Sequence, residues 1–217
     1  CTSTLVKIVA DWGKHLQTKQ QIHTQTMQSE LRFLKSQINP HFLFNTLNNL
    51  YALTLKKSDK APEIVIKLSE MMRYMLYEWN EKQVLLSKEV NYLKNYLDLE
   101  SLRQGKNVRI NFDVKGQVSE QMIAPLMFIP FLENSFKHGL NNQISTGFVD
   151  IILEVEDTKV RMFIENSKAP SMPKPIGRKS GGIGLVNVRR RLDLLYPNKY
   201  QLKIDDNPNT YKVTMDI

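Results

Sequence analysis

The spacing of apolar residues divides the chain in two. Up to about residue 104 they recur at helical intervals, and beyond Gly105 they alternate with polar ones. Met27, Leu31, Leu34 and Ile38 follow a 4-3-4 seam. Leu5, Val9, Trp12 and Leu16 form an earlier seam, out of heptad phase with the first. A stutter in a parallel coiled coil accounts for the shift, and so does a solvated or frayed helix across KQQIHTQTMQSE. A helix through His41 continues with Leu43, Leu47, Leu50 and Leu53. A second is predicted from about Pro62 to Trp79, with Ile64, Leu68, Met71, Met72, Met75 and Leu76 on its apolar face. A third is predicted from Ser87 as N-cap, carrying Val90, Leu93, Leu97 and Leu102. The short polar link KKSDK makes an antiparallel hairpin. Its two wide apolar stripes call for a partner, so a four-helix bundle built by a homodimer is expected.

The second half predicts strands. Val108, Ile110, Phe112 and Val114 alternate with polar residues, as do Val149, Ile151, Leu153 and Val155. Val160, Met162 and Ile164 repeat the pattern, and so do Tyr211, Val213, Met215 and Ile217. Helical segments are expected at about 126–138 and 184–195. The fold class is therefore α+β: a helical hairpin, then an antiparallel or mixed sheet covered by helices on one face. The expected domains are a helical linker over 1–24, a dimerisation domain over 25–104 and a sheet domain over 105–217.

Composition narrows the chemistry. Among 217 residues, one cysteine leaves no internal disulfide framework and no multi-cysteine metal site. No run of about 18 apolar residues is present to span a bilayer. The first residue is Cys1 and no signal peptide follows, so the chain reads as a piece of a longer protein. The formal net charge of +8 is spread along the chain without a nucleic-acid-binding motif. Direct nucleic-acid binding is not expected. Anionic nucleotide phosphates or a nearby membrane surface suit the charge better.

Three stretches carry candidate chemistry. In QINPHFLFNTLNNL, His41 follows a proline that bends a helix, and a neutral imidazole nitrogen is a competent nucleophile. Asn45, four residues on, shares its face and is placed to hold one ring tautomer. A histidine packed within a helix pair explains the same residues. In PLMFIPFLENSFKHGL, Asn134 suits a hydrated Mg²⁺ bound to a nucleotide, and Lys137 and His138 suit phosphate oxygens. A helix with a polar face ending at Gly139 is the plainer alternative. In SGGIGLVNVRRRL, Gly182 and Gly184 allow close approach of backbone to a ligand at a helix N-terminus, with Arg189, Arg190 and Arg191 in the next turn. A tight turn explains those glycines equally. The preceding SKAPSMPKPIGRKS reads as a loop covering phosphates.

In order and spacing these motifs resemble those of the LytS-like sensor histidine kinases, across nearly the whole chain after about residue 25. QINPHFLFNTLNNL is similar to that family's phosphoacceptor motif and APLMFIPFLENSFKHG to its asparagine box. GGIGLVNVRRRL is similar to its second glycine box. The resemblance implies a dimeric phosphoacceptor bundle and a GHKL-type ATP-binding domain. It implies that His41 takes the γ-phosphoryl group of ATP and that Asn134 contributes to Mg²⁺ binding. Lys137 and His138 would lie near the phosphates, with Gly182, Gly184, Leu185 and Asn187 in the second glycine box at the nucleotide. The phosphoryl group would pass to a response-regulator aspartate, with a LytTR-type regulator as the expected partner. Transmembrane helices and a sensor domain would lie upstream, making this the cytoplasmic portion of a bacterial inner-membrane protein.

Two departures from the family stand out. Where its first glycine box has Asp-x-Gly-x-Gly, this chain reads IENSKAP, which puts Glu165 in the aspartate's place at the adenine. His41 is followed by Phe42 and not by an acid, so Glu133 is the expected general base. If the altered box prevented ATP binding, the chain would be a pseudokinase acting as a dimeric docking scaffold.

Overall fold

The computed structural model describes residues 12, 40–79, 81–140, 146–168 and 183–217. The chain divides into two compact units, Cys1–Pro40 and His41–Ile217. Both upstream seams, apart from the helical and exposed Trp12, lie outside the described residues.

From His41 on, the second unit holds α1 (Pro40–Leu55) and then α2 (Ala61–Tyr77), joined across Lys56–Lys60 as the polar link predicts. Pro62 sits in the first turn of α2, where its missing N–H costs nothing. Ile64, Leu68, Met71 and Tyr74 form the buried stripe of α2. They pack against α3 (Leu86–Gln104). Ser87 does not cap α3. Leu85 stands at the cap in an extended conformation, because β1 (Val84–Leu85) pairs with β3 (Met122–Ile123) and Leu86 N–H donates to Gln121 O at 2.7 Å. A tertiary pairing, and not a hydroxyl, sets where this helix begins. Its end is local: Gly105 adopts φ 70°, which a side chain disfavours, and the chain leaves the helix there.

Five strands follow: β2 (Val108–Lys115), β4 (Gly147–Val155), β5 (Val160–Ser167), β6 (Gln201–Asp206) and β7 (Thr210–Asp216). Their order is β2-β4-β5-β7-β6, with β2 parallel to β4 and the other pairs antiparallel, so the sheet is mixed. Val149, Ile151, Leu153, Met162, Ile164, Val213 and Met215 make one face of it fully apolar and buried. That face supports α4 (Ile129–Asn134), the π-helical turn Ser135–Leu140 and α5 (Ile183–Leu195), through Phe131, Leu132, Phe136, Val188 and Leu192. The opposite face is a polar ladder. Asp150 accepts from Arg109 at 3.1 Å and Asn111 at 2.7 Å, and Arg161 pairs with Asp216 at 2.5 Å. β2, β4, β5 and β7 thus read apolar-in and polar-out, as the alternation predicts, while the edge strand β6 carries no such prediction.

Candidate active site

Two clusters organise the region around the candidate residues. The first is aromatic. Phe42, next to His41 at the start of α1, stacks on Tyr96 of α3 with centroids 4.8 Å apart. Tyr96 meets Phe136 of the π-helical turn edge-on at 6.0 Å. The three rings link the helix that carries His41 to the turn that follows Asn134. The geometries are those that aromatic quadrupoles favour.

The second cluster is acidic. Glu133 lies in α4 near Tyr92, Tyr96 and Glu100 of α3. Burial pushes its carboxyl up to about 7, and the nearby Glu100 adds to the rise, while Lys137 opposes it. Glu100 is itself buried, held by Arg103 at 2.7 Å, and burial raises its carboxyl too. A carboxyl poised near neutrality beside a site is the property a general base needs.

The helix expected over 126–138 is shorter and changes its winding. Phe128 caps α4, Pro130 occupies its first turn and Asn134 ends it. Ser135 Oγ then donates to Phe131 O at 3.1 Å, and the chain continues as a π-helical turn through Leu140. Such turns recur at functional sites because they re-aim the side chains after them. Asn134 is half-buried and Lys137 exposed on this turn; His138 lies on it in backbone position. Among the described residues no three His, Cys, Asp or Glu side chains gather as a metal site. Asn134, half-buried at the end of α4, offers one neutral side-chain oxygen, the kind of single protein ligand that a mostly hydrated, phosphate-held magnesium ion accepts.

The remaining candidates separate. Asn45 is in α1, one turn beyond His41. Gly184, Leu185 and Asn187 open α5, with Leu185 buried, while Gly182 lies outside the described residues. Glu165 points to the polar face of the sheet, where Lys212 pairs with it at 3.2 Å. The helices cover the other face, so its position does not fit the role of adenine partner. Arg191, expected with its neighbours near phosphates, is buried and donates to the carbonyls of Pro125 and Leu126. Glu89 carried no expectation at all. It is wholly buried, accepts from Tyr74 Oη, and accepts from Leu126 N–H at 2.6 Å. Its signal was a charge standing in the apolar register Leu86, Val90, Leu93.

Comparison with known proteins bears on these motifs directly. Residues 29–108 match the histidine kinase family model. The sensor histidine kinase BtsS of Escherichia coli K12 is 30% identical over 184 residues, covering 85% of this chain and 32% of that protein. The sensor protein LytS of Oceanobacillus iheyensis is 32% identical over 199 residues, covering 87% of this chain and 34% of that protein. The chain thus spans about a third of the length of these relatives. Among solved structures, the histidine kinase domain of a blue-light-activated kinase from Erythrobacter litoralis aligns with a TM-score of 0.47 and 15% identity, covering 89% of this chain and 95% of that one. With the phosphoacceptor motif, the asparagine box and the second glycine box in family order, the chain belongs to the LytS-like sensor histidine kinases.

Proposed function

We propose that the chain is the phosphoacceptor and ATP-binding portion of a dimeric, ATP-dependent protein-histidine kinase. The observation that carries this reading is the stack Phe42–Tyr96–Phe136, which ties the start of the His41 helix to the turn after Asn134. In the reaction a ring nitrogen of His41 attacks the γ-phosphorus of ATP in line. The N–P bond forms as the bond to the β,γ-bridging oxygen breaks, and ADP leaves. Glu133, with its carboxyl near 7, takes the imidazole proton. Asn134 contributes an oxygen to magnesium, which when bound neutralises phosphate charge. Lys137 and His138 are assigned to the phosphates, and the second glycine box, with Gly182, Gly184, Leu185 and Asn187, to the nucleotide. Asn45 steadies the His41 ring.

The phosphohistidine then passes its phosphoryl group to a response-regulator aspartate, with a LytTR-type regulator as the partner class. The homodimer reading is supported by two apolar stripes that the single chain leaves in solvent. They are Phe44, Leu47, Tyr51 and Leu55 on α1, and Val65, Met72 and Leu76 on α2. In this reading residues 1–24 are a linker, 25–104 a dimerisation domain and 105–217 a catalytic domain, while the contacts gather His41–Ile217 into one compact unit. The full protein would be anchored in a bacterial inner membrane by segments outside this chain. No helix among the described residues is long and apolar enough to cross one.

Titration with ATP and Mg²⁺, followed by incubation with γ-labelled ATP, tests the reading. Acid-labile, alkali-stable label that is lost in Asn134→Ala supports it. Absence of any nucleotide binding favours the alternative, a docking scaffold without ATP.

A further inference from the structure

A cleft of about 540 Å³ opens between α2 and α3, a size that suits a small organic ligand. Its walls are aromatic. Tyr74 of α2 and Tyr92 of α3 are both buried, with ring centroids 5.0 Å apart. Met71 lines the cleft beside them, and Tyr77 stands at its edge, 73% exposed. The Tyr74 hydroxyl is already given to Glu89, so this residue offers the cleft a ring and not a free donor.

Four charges rim the cleft. Glu78 and Lys88 pair with each other and cancel. The other two, Glu70 and Arg73, are an acid and a base one turn apart on α2. Such neighbours, about 5–6 Å apart at Cβ, commonly pair along a helix. Here they do not. Asn95 donates to Glu70 Oε2 at 2.8 Å, and a neutral amide leaves the carboxylate its full charge and its Oε1 open. Among the described residues, no ion pair or hydrogen bond holds Arg73. One anion and one cation thus stand separately beside an aromatic wall. The exposed stripe of Val65, Met72 and Leu76 is centred about a third of a turn away round α2, so the dimer proposed above leaves the cleft uncovered.

We propose that this cleft binds an aromatic α-amino acid as its zwitterion. Arg73 donates to the carboxylate, Glu70 Oε1 accepts from the ammonium, and the ring packs against Tyr74, Tyr77 and Tyr92. A ligand with one charge satisfies only one of the two rim groups and brings a like charge to the other. The site is separate from the nucleotide reading and does not rest on it.

Calorimetric titration of the chain with L-phenylalanine and L-tryptophan tests the assignment, against 3-phenylpropionate, 2-phenylethylamine and L-alanine. At least one of the two aromatic amino acids should bind with a dissociation constant below about 1 mM. The three comparison compounds, which lack the ammonium, the carboxylate and the ring in turn, should each bind about tenfold more weakly or worse. Arg73→Gln and Glu70→Gln should each weaken the amino acid about tenfold. Neither should move the unliganded melting temperature, because both side chains are exposed and the new amide at 70 still accepts from Asn95. If a charge variant melts early, Tyr77→Ala decides in its place: the residue is exposed, and its loss should weaken binding by about threefold to tenfold. No binding of either aromatic amino acid at about 10 mM overturns the assignment. So does binding that ignores Arg73→Gln or Glu70→Gln in a folded chain, and so does equal binding of 3-phenylpropionate or 2-phenylethylamine.

Discussion

Glu89 and Arg191 hold the backbone of the same residue, Leu126, one at its N–H and the other at its carbonyl. Glu89 Oε1 accepts from Leu126 N–H at 2.6 Å, and Arg191 donates to Leu126 O at 3.1 Å. Leu126 between them has φ 55°, a left-handed conformation that a branched aliphatic residue rarely adopts. Glu89 comes from α3, next to α2 through Tyr74. Arg191 comes from the helix that follows the second glycine box, and Leu126 leads into the asparagine-box helix. One buried polar node therefore joins α2 and α3 to the segments that carry the asparagine box and the second glycine box.

Removing either charge strands the other in a low-dielectric interior. Glu89→Leu and Arg191→Met should each lower stability by about 3 kcal/mol in denaturant unfolding. The double variant should cost less than the sum, by at least about 1 kcal/mol. Additive losses would show that the two act independently on the loop.

Stability should depend on pH through two buried acids. Burial pushes Glu89 and Glu133 up to about 7 from the usual 4.5. Between those values the folded chain holds protons that the unfolded chain has released, so stability falls as pH rises from about 4.5 to 7. Glu133→Gln should flatten part of that fall and raise stability at pH 8 by up to about 3 kcal/mol relative to wild type. Thermal unfolding across pH 5–8 reads both effects. If Glu133 is the base, the same variant loses autophosphorylation while gaining stability.

The exposed stripe on α1 and α2 should hold the dimer. Leu47→Asp combined with Leu76→Asp should convert the chain to monomer in sedimentation equilibrium, with helical content per chain little changed. A wild type that sediments as a monomer at micromolar concentration would remove the bundle from the account.

The aromatic link should matter to transfer and not to binding. Phe42→Leu keeps an apolar side chain but loses the ring stack, worth about 0.5–1.5 kcal/mol. It should slow phosphoryl transfer about tenfold through misplacement of the neighbouring histidine, with ATP affinity unchanged. Equal losses in both would assign Phe42 to general packing.

Much of the fold is legible in the sequence because its apolar face is written at period two. Val149 to Val155 and Val160 to Ile164 announce their strands without ambiguity. β6 is not so written: Leu202 and Ile204 alone alternate in a short polar edge strand. The start of α3 escapes sequence reading because it is set by pairing with Met122–Ile123, far along the chain. The site divides in the same way. His41 and Asn134 stand in long motifs that are conspicuous in the sequence. Glu165 is conspicuous in IENSKAP, yet only strand register shows that it faces away from the helices and its neighbour Asn166 toward them. Arg191 sits third in an arginine run, where nothing but burial separates it from its exposed neighbour Arg189.

The central claim is that His41 carries the phosphoryl group. Incubation with Mg-ATP, digestion at neutral or mildly alkaline pH and mass spectrometry of the peptide spanning Pro40–Leu55 would place it. The account predicts one phosphoryl group on His41, lost on brief acid treatment and absent from His41→Gln. Phosphate on another residue, or an unmodified peptide from a chain that demonstrably binds ATP, would contradict it.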